Sequence, residues 1–254
     1  MSEITQQDSW QKLRSFTAAR IALGRSGVSL PTQEVLRFGV AHAQARDAVH
    51  LPFEAETLAC SLAAQGFTTL EVHSQAPDRS SYLRRPDWGR RLACESRQRL
   101  LQAAVAPSEV LFVVGDGLSS RAVHEHAEPF LIEARSRLEA EGLSLGPVVL
   151  AHQARVALGD EVGECLAAQL VVVLIGERPG LSSPDSLGLY LTWQPRVGRS
   201  DAERNCISNI RAAGLSYPLA AQKLTWLALR SRAIKLSGVG LKDQSDLIEP
   251  LPVD

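Results

Sequence analysis

Glu109-Val-Leu-Phe-Val-Val-Gly-Asp-Gly117 is the stretch on which the fold turns. Val110 to Val114 form an apolar run with no polar alternation, too short for a buried helix and closed by a Gly115-Asp-Gly117 turn signal. Ser119 to about Glu141 then carries a helical pattern. A strand without alternation is buried on both faces, so it needs helices to cover it; strand, turn, helix is the unit of an α/β architecture.

The unit recurs downstream. Pro147-Val-Val-Leu-Ala-His152 precedes a helix opening near Asp160, and Leu170-Val-Val-Val-Leu-Ile175 precedes a loop rich in Gly, Pro and Ser. Leu187 to Trp193 reads as a further strand, followed by a helix expected from Asp201, and Pro218 to about Leu236 as a final helix with a broad apolar face. Upstream, Thr32 to Val49 carries Val35, Leu36, Val40 and Ala43 at helical spacing. Phe53 to Gln65 continues as helix, Phe67 to Val72 is a short β-branched run, and a third helix is expected from about Pro86 to Ala104. The pattern predicts an α/β protein in two parts. A helical N-terminal region, residues 1–105, is followed by a mainly parallel, Rossmann-like sheet with helices on both faces over residues 106–254. Ligands of such sheets sit beyond the carboxyl ends of the strands, which singles out the loops starting at Gly115, His152, Gly176 and Gln194.

Composition narrows the function classes. The 254 residues carry 27 Lys and Arg against 28 Asp and Glu, so no basic excess draws the chain to nucleic acid or to an anionic membrane. Cys60, Cys94, Cys165 and Cys206 are scattered with no C-x-x-C pair, which fits a reducing cytoplasm and not a disulfide scaffold. The N-terminal stretch Met1 to Trp10 is polar and reads as no export signal, and no run of eighteen apolar residues follows.

Several chemical signatures fail on inspection. Gly115-Asp-Gly117-Leu-Ser-Ser120 has serine where a dinucleotide fingerprint needs its third glycine. Gly142-Leu-Ser-Leu-Gly146 follows a helix, whereas a nucleophile elbow follows a strand. His124 and His126 are two apart on a helix and point to different sides, so they read as surface or interface histidines rather than a metal pair. None of the four lysines follows a glycine, so there is no P-loop. No catalytic residue and no metal ligand is expected on this chain.

Three features remain. Arg79, Arg84, Arg85, Arg90, Arg91, Arg97 and Arg99 form either a solvated helix face or a contact surface for an acidic partner. Gly176 to Gly188 packs three glycines, two prolines, three serines and three charges into thirteen residues, a density that suits a ligand-holding loop. In Asp201-Ala-Glu-Arg-Asn-Cys-Ile-Ser-Asn-Ile210, Asp201 reads as a helix cap, with Asn205 and Asn209 one turn apart and Cys206 between them as a ligand contact or a small buried hydrophobe.

Longer strings carry a resemblance. Phe16-Thr-Ala-Ala-Arg-Ile-Ala-Leu-Gly-Arg-Ser-Gly27, Ala41-His-Ala-Gln-Ala-Arg-Asp-Ala-Val-His50, Arg155-Val-Ala-Leu-Gly-Asp160, Gly176-Glu-Arg-Pro-Gly-Leu-Ser-Ser-Pro-Asp185 and Arg204-Asn-Cys-Ile-Ser-Asn-Ile-Arg211 resemble the small subunits of ethanolamine ammonia-lyases, from about Leu13 to Asp243. The resemblance implies a two-subunit enzyme in which the large subunit binds ethanolamine and the adenosyl side of adenosylcobalamin, while the small subunit covers part of the corrin. A radical from the cofactor then drives conversion of ethanolamine to acetaldehyde and ammonia. It further implies cofactor contacts at Val156, Glu177 and Cys206 and a hexamer of heterodimers; charge pattern and position away from the sheet edge make the Arg79 to Arg99 stretch and the helices near Asp47 and His50 the expected large-subunit interface. None of the six histidines lies in a D-x-H-x-x-G string, so the cofactor is expected to keep its own base on cobalt. The expected location is the cytoplasm, with a protein-shelled microcompartment as the further site that longer N-terminal extensions mark in many relatives. A cobalamin- or nucleotide-binding module outside any enzyme is the alternative use of the same sheet edge.

Overall fold

The computed structural model describes residues 5–245, so the first four residues of the polar N-terminal stretch and the last nine of the C-terminal part lie outside it. Its centre is one six-stranded sheet in the order β1-β3-β2-β4-β5-β6, formed by β1 (Thr69–His73), β2 (Val110–Gly115), β3 (Val148–His152), β4 (Leu170–Gly176), β5 (Leu187–Trp193) and β6 (Arg204–Ile210). β1, β3, β2 and β4 are parallel, whereas β5 runs antiparallel to both of its neighbours, β4 and β6. The fully buried apolar runs Val110 to Val114 and Leu170 to Ile175 lie at the middle, where helices cover both faces.

Among the described residues seven α-helices accompany the sheet: α1 (Thr32–His50), α2 (Ala55–Ala64), α3 (Arg79–Arg84), α4 (Cys94–Gln102), α5 (Ser120–Ala140), α6 (Leu158–Cys165) and α7 (Tyr217–Ile234). α2, α5 and α7 share one core with Phe112, Leu150, Leu174, Leu189 and Leu191. α4 and α6 share the opposite core with Leu111, Val113, Val171 and Val173. β1, although N-terminal in sequence, is hydrogen-bonded to β3 and so belongs to the same sheet. No helix among the described residues is long and apolar enough to cross a membrane.

Three expectations are corrected. The helix expected from Pro86 to Ala104 is broken. Asp78 caps the short α3 by accepting from Ser81 N at 2.8 Å, Pro86 interrupts, Trp88–Arg90 makes one tight turn, and only α4 is a regular helix. The helix expected from Asp201 is a single tight turn, Asp201–Glu203, followed by β6. Asn205 and Asn209 are therefore not neighbours on a helix face. The cap is Ser200 and not the expected Asp201: Ser200 and Glu203 form a capping box, and Asp201 is the first residue of the turn. Arg204 is buried toward α6 by its pairing with Asp160, while Ile207 and, past a register shift, Ile210 are buried in the opposite core; the resulting spacing of three imitates helical periodicity. Lastly, β5 runs antiparallel to β4, so Trp193 pairs with Leu170 and the Gln194 loop lies at the amino edge, away from the loops at Gly115, His152 and Gly176.

Candidate functional site

The face on which α6 lies is covered unevenly. α6 packs on β4 and β2, while the helices packed on β5 and β6, α5 and α7, lie on the other side. Paired residues share a face in a sheet. Val173, which faces α6, pairs with Tyr190, and Tyr190 pairs with Cys206. Tyr190 is half-buried and Cys206 exposed on this side. The result is a shallow, partly apolar face running from the start of α6 to the edge strand.

Glu177 stands at the rim of this face, one residue past β4. Its Oε2 accepts from Ser186 Oγ at 2.5 Å and from Asn209 N at 3.3 Å. Gly188 on β5 lies beneath it: a Cβ built there would meet Glu177 Oε1 at 2.8 Å, so only glycine lets the carboxylate fold over the strand. The Gly176 to Gly188 loop is pinned on several sides. Ser119 Oγ donates to Pro184 O at 2.7 Å, Arg211 Nη1 to Ser182 O at 3.3 Å, and Glu177 N to Ser186 O at 2.9 Å. Asp185 lies 3.4 Å from His126 Nε2, and His126 Nδ1 lies 2.8 Å from the Tyr217 hydroxyl. His126 is thus a buried partner of this loop, in place of the surface histidine expected, while His124 accepts from Glu54 N at 3.1 Å.

Val156 lies half-buried in the connection from β3 to α6, against the core beneath α6. That connection is held by its neighbours. Asp116, at the end of β2, accepts from Ala154 N at 2.9 Å, the Tyr82 hydroxyl donates to Ala154 O at 3.0 Å, and Arg155 N donates to Gly89 O at 2.8 Å. Burial pushes the Asp116 carboxyl above the usual carboxylate range, opposed chiefly by the Arg79 guanidinium at 3.3 Å. Gly117 has φ +56°, and a Cβ there would lie 2.3 Å from Gly176 O, so this turn closes directly onto the Glu177 loop.

Glu177 and Cys206 come together through Tyr190, which sits in an apolar strand and reads as core, its hydroxyl the one cue to another role. Burial raises the Tyr190 hydroxyl above its ordinary pKa, with Cys206 and the Glu177 charge adding to the rise. The Cys206 thiol also rises, mainly because the sheet face strips its hydration, with Glu177 adding and the Tyr190 hydrogen bond opposing. Both groups stay protonated at neutral pH, so Cys206 offers a neutral, polarizable contact and not a thiolate nucleophile. Asp160 and Arg204 close the far side: two hydrogen bonds of 2.6 and 2.7 Å join α6 to β6. Burial opposes the charge on Arg204, yet its bonds to Asp160 and Asp201 hold it above the ordinary value.

The model of the ethanolamine ammonia-lyase light chain (EutC) family matches residues 7–242. The chain belongs to that family. Among ethanolamine ammonia-lyase small subunits, one from Pseudomonas fluorescens is 55% identical over 95% of this chain and 89% of its own length. One from Ralstonia nicotianae is 54% identical over 95% and 90%, and one from Pseudomonas aeruginosa 53% over 97% and 92%. As a member of the light-chain family, the chain is a subunit of a two-subunit ammonia-lyase. The family strings Arg155 to Asp160, Gly176 to Asp185 and Arg204 to Arg211 are the three segments that build this face, and the Asp160 to Arg204 pair joins the first to the third.

Proposed function

We propose that this chain contributes one wall of an adenosylcobalamin site in ethanolamine ammonia-lyase, and that it turns over ethanolamine only when joined to the large subunit. The observation that carries the proposal is the half-open sheet face bounded by Val156, Glu177 and Cys206. A corrin is a broad, flat, largely apolar ring fringed with amides, and the residues fit one side of it. Val156 and Tyr190 offer packing, and Glu177, seated over Gly188, is an acceptor for amide N–H groups. The face is open where an enclosed cavity would be needed, so the remaining wall belongs to another chain.

When bound, adenosylcobalamin supplies the radical chemistry through homolysis of its cobalt–carbon bond. This chain's residues hold and orient. Glu177, fixed by Ser186 and Asn209, fastens the amide fringe; Val156 packs against the ring; Cys206 gives a soft neutral contact that does not compete for cobalt. With no histidine presented in a D-x-H-x-x-G string, the cofactor keeps its own base. Ethanolamine binds on the large subunit, in a hexamer of heterodimers. Residues 1–105 make the large-subunit contact and residues 106–254 face the cobalamin. Support for the first assignment comes from α1, whose Val35, Leu36, Phe38 and Val40 are exposed, and from exposed Arg84, Arg90 and Arg99. The cytoplasm, including a microcompartment within it, is the proposed location.

The test is acetaldehyde production from ethanolamine and adenosylcobalamin by this chain alone, by a family large subunit alone, and by the two mixed. Activity is expected only in the mixture; turnover by this chain alone overturns the division of labour. In the active mixture, Glu177→Gln should weaken adenosylcobalamin binding by about tenfold, the scale of one lost hydrogen bond, with subunit assembly unchanged. Unaltered affinity would remove Glu177 from the site.

A further inference from the structure

At the other end of the carboxyl edge, β1 and β3 bring together three side chains that the cobalamin face does not use. Their parallel register sets His73 directly beside His152, so backbone hydrogen bonding places the two imidazoles together although they are far apart in sequence. The rings stack with centroids 4.2 Å apart and planes 6° apart. Glu71, two residues before His73, faces the same side of β1. His152 Nε2 lies 2.7 Å from Glu71 Oε1, and His73 Nε2 lies 3.8 Å from the same oxygen. One ligand atom from each of the three residues lies within 4.8 Å of the other two.

Those separations suit one small ion. A tetrahedral Zn2+ with bonds of about 2.0–2.1 Å keeps its donors roughly 3.3 Å apart, and the two observed distances to Glu71 bracket that value. The rearrangement required is a tilt of the stacked rings, so that both Nε2 lone pairs aim at one point. Glu71 and His73 are free to make it, their side chains being 51% and 52% exposed. His152 is the fixed member, 18% exposed and packed 5.2 Å from the Phe53 ring. Two imidazoles and one carboxylate are a donor set for Zn2+, Ni2+ or Cu2+ rather than for Mg2+ or Ca2+, which take oxygen.

We infer that Glu71, His73 and His152 form a binding site for a divalent transition-metal ion of the zinc class, with water completing the coordination. A bound ion staples the edge strand β1 to β3 and so ties the N-terminal part to the sheet. The site is separate from the cobalamin face and stands or falls independently of it.

The experiment is equilibrium dialysis of the untagged full chain against Zn2+, followed by Co2+ absorption. One Zn2+ per chain and a visible tetrahedral Co2+ band are expected. His73→Ala or His152→Ala should weaken binding by at least the roughly 10–100-fold that loss of a metal ligand's supporting partner costs. His124→Ala, which removes the other histidine packed on the Phe53 ring, should leave binding intact. Thermal unfolding without metal keeps folding separate from binding, and in the parent chain Zn2+ should raise the midpoint where Mg2+ does not. Absence of binding in the parent chain, or undiminished binding after His73→Ala and His152→Ala, overturns the site.

Discussion

Two aspartate–arginine pairs with buried carboxylates flank the candidate face, and they are built differently. Asp160 and Arg204, each with a side chain 2% exposed, meet through two short hydrogen bonds, and every nitrogen of Arg204 is used: Thr192 Oγ1, Arg199 O and Asp201 take the remainder. Asp116 and Arg79 meet through one contact of 3.3 Å. Arg79 spends its other bonds on Val49 O, Gly117 O and Gln153 Oε1, and its Nη2 is buried without a partner among the described residues. The first pair is a closed fastener between α6 and the edge strand. The second is a hub that gathers the end of α1, the β2 turn and the β3 loop around a carboxylate whose charge is incompletely met.

Breaking the fastener should give the largest effect. Arg204→Met leaves Asp160 buried and alone, and removal of one member of a buried pair costs roughly 3–5 kcal/mol. Urea unfolding should show that loss, and Asp160→Leu combined with Arg204→Met should recover much of it, since a matched apolar pair leaves no orphan charge. A loss under about 1 kcal/mol for the single variant would mean that the pair is far better hydrated than its burial implies.

Breaking the hub should cost less, about 1–3 kcal/mol for Arg79→Met, because Ala154 N still serves Asp116 and the carboxyl can take up a proton. This loss carries a pH signature. Asp116 has its folded-state pKa raised by burial, so its ionisation works against folding as pH rises above the unfolded value, and Arg79 offsets part of that cost. The deficit of Arg79→Met relative to the parent should therefore shrink as pH falls toward the point where Asp116 is protonated in both. Unfolding free energies at a series of pH values check this, and a deficit independent of pH would assign Arg79 to its carbonyl contacts alone.

The contrast also explains what could be read from the sequence. The parallel strands were legible because uninterrupted apolar runs have few other fates, and the Glu177 loop because its glycines and prolines have no role in a plain spacer. β6 was not, since Arg204, Ile207 and Ile210 are buried three residues apart beneath a capping box, Arg204 against α6 and the two isoleucines, on either side of a bulge, in the opposite core. Nor was either charged pair, because Asp116, Asp160 and their partners are joined only by tertiary folding. Tyr190 offered one cue, a hydroxyl inside an apolar strand. His126 offered none: its partners Asp185 and Tyr217 come from a loop and a helix far along the chain.

A half-buried pair beside the fastener sharpens the comparison from the weak side. Glu203 accepts from Ser200 N at 2.7 Å and from Ser200 Oγ at 3.0 Å, and is also hydrogen-bonded to Arg199, the residue whose carbonyl receives Arg204. The Ser200 backbone N–H first, then Arg199 and the Ser200 hydroxyl, pull its pKa down to about 2. A depressed carboxylate contributes stability above its unfolded value, near 4.5, and that contribution is lost as pH falls from there toward about 2. Glu203→Gln should thus lower stability by the smallest amount of the three variants, constant above about pH 4.5 and vanishing below about pH 2. Acid unfolding curves of parent and variant should converge at the low end. If Glu203→Gln proves as damaging as Arg204→Met, then Arg199 and Glu203 are part of the fastener, and the line drawn between a buried pair and its solvated neighbour is misplaced.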